Sequence, residues 1–330
     1  MKPEDPRVLG GAVKSAEVLK RSPSVCPTPT VILPTCDRPH TLVRSAMSAL
    51  KALPPNGELI VVDDGLEHDA AASLGEFRDP RLKILRSPGR QGPSAARNLG
   101  ARHANGDVLF FVDDDDVLVA DYVVRILDGI ATGRIRGHFG FSAVRVGARV
   151  SGGSRSSGPF GESDPLGLRI SGLGMGFWIS RSKFEAAGGL DESLGINEDT
   201  EFCLRLASQG ENGWYESEPG VVIRPESDQR GSARFASVTS RHCRHDRARI
   251  FERLLVDYGG LFSKHAKERR RFALRAVKYS SPRTDLRSSF RKGMFLMPGE
   301  NRVLVFLMVA CLSVLERIRT KMATRFGGIA

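Results

Sequence analysis

From Thr30 onward, short apolar runs alternate with longer amphipathic stretches, and this alternation limits the architectures open to the chain. "TVILPT", "ELIVV" (58–62), "RLKIL" (81–85) and "DVLFFV" (107–112) are β-branched or aromatic runs of strand length. Between them lie helical patterns: "PHTLVRSAMSALKAL", opened by Pro39, then "PSAARNLGARHA" (93–104) and a further one near Asp121 to Ile130. Proline suits a first helical position because its missing N–H has no partner there. Strands that alternate with helices are joined by right-handed crossovers into a mostly parallel sheet covered by helices. The fold class expected is therefore α/β. In such sheets, ligands bind beyond the carboxyl ends of the strands.

That rim is acidic. "ELIVV" runs into Asp63, Asp64 and Gly65, and "VLFFV" runs into four consecutive aspartates, Asp113 to Asp116. Neighbouring carboxylates repel one another, so four together are not placed for stability. Hard oxygen ligands of this kind suit Mg²⁺ or Mn²⁺, which bind through one or two carboxylates plus a substrate phosphate. A helix N-cap with acidic company is the alternative; it accounts for one aspartate more easily than for four.

Further along, Gly152 to Gly167 is rich in Gly and Ser and is expected to be a mobile loop. "GMGFWIS" (174–180) has the character of a strand and "SKFEAAGG" that of a helix closed by glycine. In "NEDTEFCLRLASQG" (197–210) a helix is expected to begin near Glu198. After Arg241 the pattern is long, basic and helical, with a break at "SPRTD" (281–285). Three segments follow: a flexible leader (1–28), an α/β domain (29–235) and a basic, mainly helical C-terminal region (236–330).

Charge divides the chain in the same place. The whole carries +11, yet residues 241–330 hold 21 Lys+Arg against 7 Asp+Glu, a net of +14 that leaves −3 on residues 1–240. An acidic body and a basic tail imply different jobs. Aromatics make up only 7% of the chain, too few for the stacking platforms of single-strand binders, so no nucleic-acid partner is expected. The five cysteines, Cys26, Cys36, Cys203, Cys243 and Cys311, are widely spaced with no C-x-x-C pair. Their spacing argues against a zinc site or a disulfide framework and for a reducing, cytoplasmic compartment. The leader has no signal-peptide core. The longest apolar run, Val303 to Leu315, has 13 residues, short of the roughly 18–20 that span a bilayer.

"VILPTCDRP", "ELIVVDDG", "QGPSAARNLGARHANGDVLFFVDDDD" and "GGLDESLGINEDTEFCLRL" occur in the order and spacing of the family 2 glycosyltransferases with the GT-A fold. The chain resembles that family over roughly Thr30 to Arg224. The resemblance implies a nucleotide-sugar donor, a divalent cation (Mn²⁺ or Mg²⁺) and inversion at the anomeric carbon. Asp64 matches the carboxylate that contacts the donor's base. A carboxylate can accept from an imide N–H, which favours UDP- or dTDP-sugars. Pro34 and Thr35 match the backbone edge beside that base, and Arg97 matches a position lining the nucleotide pocket. Asp113 and Asp115 register as the D-x-D pair, with Asp115 on the metal and Asp113 or Asp114 turned toward ribose or a metal-bound water. Asp199 matches the base that takes the acceptor proton, with Glu198 placing it or the acceptor.

One departure stands out. Many relatives carry a histidine shortly after the next strand, where this chain has Arg224, which cannot ligate a cation. His242 and His245 are the nearest histidines. The resemblance further implies a glycan or lipid-linked acceptor and a role in bacterial-type surface polysaccharide assembly. Acceptor recognition is expected between Gly140 and Gly176 and in the tail. The tail has two readings: a peripheral contact with an anionic inner membrane surface, or a buried helix capping the domain. A non-catalytic glycan- or membrane-binding relative and a nucleotidyltransferase are the rival functions. The intact D-x-D and Glu-Asp pairs weigh against the first, and the "NEDTE" base, for which a nucleotidyltransferase has no need, weighs against the second.

Overall fold

The computed structural model describes residues 26–151, 155–170, 176–223, 243–280 and 286–326, without the side chains of 316–326. The expected alternation is present: β1 (Pro29–Thr35), α1 (Pro39–Ala52), β2 (Glu58–Asp63), α2 (Ala70–Ser73), β3 (Leu82–Arg86), α3 (Pro93–Arg102) and β4 (Val108–Phe111). These four strands lie side by side in the order β3-β2-β1-β4, all parallel. Ile32 pairs with Ile60 on one side and Phe111 on the other. β1, β2 and β4 read as continuous apolar runs because both faces are covered; β3, at the edge, is half-buried with Lys83 and Arg86 exposed. Val31, Leu33, Leu59 and Val61 pack on one face with Leu42, Ala46 and Ala49 of α1. Ile32, Ile60 and Val62 point to the other, against Ala96 and Ala101 of α3, as the two-residue period of a strand requires.

Beyond β4 the sheet becomes mixed. The chain continues through β5 (Val117–Leu118), α4 (Tyr122–Ala131), β6 (Phe139–Val146), β7 (Arg149–Val150), β8 (Gly158–Phe160) and α5 (Leu166–Arg169). Next come β9 (Trp178–Ser180), α6 (Arg181–Ala186), α7 (Glu198–Ser208) and β10 (Gly213–Ile223). The strand expected in 174–180 is β9, which runs antiparallel between β4 and β6. β10 lies parallel to β6 and antiparallel to β5 and β8. The expectation of a mobile loop from Gly152 to Gly167 needs correction. Its described part forms β8 and α5, held because Phe160 and Leu166 are buried. Phe160 sits 5.6 Å from Phe139 and 5.9 Å from Phe141, ring to ring. Two apolar anchors outweigh the glycines around them.

The C-terminal region folds into α8 (Arg244–Asp257), α9 (Gly259–Lys264), α10 (Ala266–Ser280), α11 (Leu286–Leu296) and α12 (Arg302–Phe326). Phe251, Leu254, Phe262, Phe272, Val277, Met297, Val305 and Val309 form a core that is continuous with Leu166 of α5 and Leu204 and Ala207 of α7. Polar contacts pin the junction. Arg253 donates to Asp191 at 2.7 Å and Ser193 at 3.0 Å, and the Tyr258 hydroxyl donates to Glu201. Of the apolar run 303–315, Val305 and Val309 are fully buried, whereas Val303, Phe306, Leu307, Val314 and Leu315 are exposed. One stripe of the run is therefore buried against the C-terminal core, and the rest faces outward. Among the described residues no helix is long and apolar enough to cross a membrane. The leader up to residue 25, the boundary near 235 and the break at 281–285 lie outside the described residues.

At Gly100 of α3 the helix backbone lies close against the sheet. A Cβ there would stand 2.6 Å from Ile32 Cγ2 and 3.2 Å from Val62 Cγ2. Gly100→Val is expected to destabilise the protein by about 1–3 kcal/mol through overpacking. Urea unfolding would show this as a lower midpoint at unchanged slope.

Candidate active site

The carboxyl ends of β1, β2 and β4 open into a cavity of about 880 Å³. Pro34, Thr35, Asp64, Arg97, Asp113, Asp114, Asp115, Glu198 and Asp199 all line it, so the residues matched to the donor pocket, the D-x-D pair and the base converge on one space. Asp116, adjacent in the same turn, joins Asp113 and Asp115 in a group whose ligand atoms lie within 4.8 Å of one another. Residues Gln91 to Pro93, Arg38 and the tail residues Arg247, Phe251, Arg275, Lys278 and Tyr279 complete the walls.

The aspartate turn is held from α1. Ser45 Oγ donates to the carbonyls of Asp113 at 2.9 Å and Asp116 at 2.7 Å. Arg44 Nη2 reaches the Asp115 carbonyl at 3.2 Å. Within the turn the side chains diverge. Asp114 is buried, accepting from Thr35 Oγ1 at 2.7 Å and Arg38 Nη1 at 3.0 Å. Asp115 also accepts from Arg38, at 3.1 Å, and Asp113 accepts from Arg97 Nη2 at 2.6 Å. Asp113 and Asp115 are the more open pair, with side chains 37% and 33% exposed. Crowding raises proton affinity. Burial first, then the carboxylates of Asp113, Asp115 and Asp114, push the Asp116 carboxyl up to about 8. Burial likewise pushes Asp114 up to about 6, against the pull of Arg38. Three carboxylates this close fit a divalent cation, which would remove the repulsion that now favours protons.

Arg97 joins the two halves of the site. Its buried guanidinium donates to Asp113 with one nitrogen and to Glu198 Oε1, at 2.9 Å, with the other. Burial opposes its charge, yet Asp113, Glu198 and Asp199 together hold its proton more tightly than usual. Glu198 opens α7. Burial, with Asp199 next door, pushes its carboxyl up against the pull of Arg97. Asp199 Oδ1 accepts from the Thr200 amide at 2.6 Å and its hydroxyl at 3.2 Å. Asp199 itself lines the cavity. The residue before Glu198, Asn197, has φ +60, a left-handed conformation that asparagine tolerates better than most side chains. Of the other non-glycine residues with positive φ among the described residues, Arg90 (φ 50) lines the same cavity and Asp37 (φ 58) lies between its lining residues Cys36 and Arg38. Backbone strain concentrated around one cavity is a mark of a functional site.

On the opposite wall, Asp64 accepts from the backbone amides of Gln91 and Gly92, each at 2.9 Å, and from the Ser87 hydroxyl. A carboxylate has about four acceptor positions, so Asp64 fixes the 87–92 turn and keeps one position in reserve. Arg38, Asp116 and the five tail residues were not foreseen as site residues. The four-aspartate run did contain the signal for Asp116. The partners of Arg38 and of the tail are set by packing across the fold, which no local pattern carries. None of the described residues between Gly140 and Gly176 lines the cavity. The glycines of "GLGMG" up to 175, Arg224 and His242 lie outside the described residues, and His245 is exposed on α8.

Residues 30–151 match the family model for Glycosyl transferase family 2. Over 92 residues the chain is 34% identical to the UDP-Glc:alpha-D-GlcNAc-diphosphoundecaprenol beta-1,3-glucosyltransferase WfgD of Escherichia coli, covering 28% of this chain and 36% of that one. It is 26% identical to the succinoglycan biosynthesis protein ExoA of Rhizobium meliloti over 61% of this chain and 64% of ExoA. The chain thus spans little more than a third of WfgD's length. Among solved structures, S. aureus TarS 1-349 in complex with UDP-GlcNAc superposes with a TM-score of 0.60 at 14% identity, over 91% of this chain and 92% of that one. The shared fold is GT-A.

Burial and the neighbouring carboxylates push Asp116 up to about 8 and Asp114 up to about 6, so a cation held by this cluster would compete with protons and its affinity would rise with pH up to about 8. Titration with Mn²⁺ is expected to show affinity increasing by up to about tenfold per pH unit between pH 6 and 8. Asp116→Asn should flatten that slope.

Proposed function

Residues 30–151 belong to glycosyl transferase family 2 on a GT-A fold, and from that premise we propose that the chain transfers a sugar, with inversion, from a UDP- or dTDP-sugar to a hydroxyl of a glycan or lipid-linked acceptor. One observation carries this reading: a single cavity brings the strand-end carboxylates and the first turn of α7 together, bridged by Arg97. In this reading Asp64, Pro34 and Thr35 frame the base of the donor. Asp113, Asp115 and Asp116 would hold a divalent cation, which would supply positive charge against the negative charge of the departing nucleoside diphosphate. Asp199 removes the proton of the acceptor hydroxyl as that oxygen bonds to the anomeric carbon and the bond to the diphosphate breaks. Attack from the face opposite the leaving group inverts the carbon. Arg97 holds Glu198, and so the turn that carries Asp199, at a fixed offset from Asp113.

The relatives support a role in polysaccharide assembly, since one is a succinoglycan biosynthesis protein and another acts on a diphosphoundecaprenol-linked sugar. The outward face of α12 suits that setting. Val303, Phe306, Leu307, Val314 and Leu315, with Phe295 of α11, expose apolar surface on a region of net charge +14. Apolar surface amid cations favours an in-plane contact with an anionic membrane.

Two measurements test these assignments. Nucleotide-sugar binding with Mn²⁺, with Mg²⁺ and with chelator should be metal-dependent and lost in Asp115→Ala. Asp199→Ala should bind donor normally while turnover falls by roughly 10²–10⁴-fold, the usual worth of a general base. Loss of donor binding in Asp199→Ala would contradict the role given to it. For the membrane, co-sedimentation with phosphatidylglycerol vesicles should exceed that with phosphatidylcholine and drop in the double variant Phe306→Asp, Leu307→Asp. Equal pelleting of this variant would dismiss α12 as the contact.

A further inference from the structure

The wall that the C-terminal helices contribute to the cavity differs chemically from the rest of it. The floor is acidic, with Asp113 to Asp115, Glu198 and Asp199. The wall is cationic and aromatic: Arg247 from α8, and Arg275, Lys278 and Tyr279 from α10. The Tyr279 ring stacks on Phe251 at 6.1 Å and 12°. Arg247 lies 5.6 Å and Lys278 5.7 Å from its centroid. Arg275 sits 5.4 Å from the centroid of the Phe251 ring. Cations are thus gathered around two stacked rings at the mouth of an acidic floor.

Several cations of the C-terminal helices pair with acids. Arg253 pairs with Asp191, Arg269 and Arg270 with Glu300, and Lys292 with Glu252. Arg275 makes no ion pair among the described residues. Burial, together with the like charge of Arg271, pulls its proton affinity down. A half-buried guanidinium under that strain favours an incoming anion. The wall also has a definite side. α8 is tied through Arg253 to the 191–193 segment, and Tyr258, which follows it, to Glu201 in the first turn of α7. The helices therefore stand beside Asp199, on the side where an acceptor hydroxyl must arrive. The ends of β1 and β2, which frame the donor's base, belong to the other side.

We propose that Arg247, Arg275 and Lys278 bind a phosphate or diphosphate ester carried by the acceptor, with Tyr279 as a platform for the adjoining sugar, so that the acceptor is a phosphate-bearing saccharide and not a neutral glycan. The proposal rests on the transferase reading of the cavity. It answers a need that reading creates: an anionic acceptor approaching an acidic floor is repelled unless cations line its path. A guanidinium pair suits phosphate oxygens bidentately, and an aromatic face suits the apolar face of a sugar ring.

The test uses the full chain with UDP and Mn²⁺ present, so that the donor side is filled. Calorimetric titrations compare N-acetylglucosamine 1-phosphate, farnesyl diphosphate and the neutral octyl N-acetylglucosaminide. Binding of UDP itself is measured separately. Both phosphate probes should bind at least tenfold more tightly than the neutral glycoside and weaken as NaCl is raised from 50 to 500 mM. Arg275→Gln and the double variant Arg247→Ala, Lys278→Ala should each lose at least tenfold for the phosphate probes, with UDP affinity changed less than twofold. Arg247→Lys, which keeps the charge, should lose less. Preference for farnesyl diphosphate would identify a lipid-linked source for the phosphate, and preference for the sugar phosphate a soluble one. The proposal is overturned if the neutral glycoside binds as well as the phosphate probes. It is equally overturned if variants with wild-type melting curves keep phosphate binding, or if UDP affinity falls in parallel, which would give the wall to the donor's diphosphate. Absence of UDP binding to the unaltered protein, with phosphate binding intact, would instead sink the transferase reading and leave the anion site standing.

Discussion

The buried guanidinium of Arg97 is the constraint around which the site is arranged. It stands on α3, between the parallel strands and the mixed half of the sheet, and bonds one carboxylate from each half, Asp113 and Glu198. Removing a charge from water is costly, and a buried arginine is tolerated only when its nitrogens meet acids in good geometry. The converse also holds. With Arg97 absent, Glu198 would keep a buried carboxylate without its cation, and the aspartate turn would lose its tie to α7. The relative placement of the two halves of the cavity is therefore set by one electrostatic link, backed by Asn98, whose side chain bonds to Leu190 of the adjoining segment at 2.9 Å in both directions.

The aspartate turn shows the same economy. Four acids in a row divide their tasks by direction. Asp114 turns inward to Thr35 and Arg38 and locks the turn to β1, whereas Asp113, Asp115 and Asp116 converge. Ser45 fastens the main chain beneath them. The repulsion that makes such a run unfavourable in isolation is the property that makes it receptive to a cation. Arg38 and Arg97 supply enough positive charge to keep the turn folded without saturating it.

Much of this was legible in the sequence, and what was not has a common physical cause. The runs that became β1, β2 and β4 are buried on both faces, so continuous hydrophobicity marked them without help from partners. The start of α7 was marked by Glu198 and Asp199, acids that suit a helix N-terminus and chemistry alike. The described part of 152–167 was misjudged because Phe160 and Leu166 anchor it through distant partners, while its glycines and serines dominate locally. Arg38 escaped notice because its role depends on a turn some 76 positions away. The cationic wall escaped for the same reason: α8 and α10 face the cavity only once their core has merged with Leu204 and Ala207 of α7. Periodicity reveals elements, and runs of one residue type reveal local chemistry. Which elements meet is a property of the whole chain.

α7 touches both parts of the molecule. Its first turn faces the aspartates, and its middle and end pack into the C-terminal core, which touches the rest of the body through α5 and the 191–193 segment. The two parts can therefore change at different rates over evolutionary time. Mutations inside the helical core can reshape what is presented to the cavity without disturbing β1 to β4, provided the surface of α7 is kept. A lineage built on this plan can vary one wall of the cavity by drift in an appendage, while the strand-end carboxylates opposite are inherited unchanged.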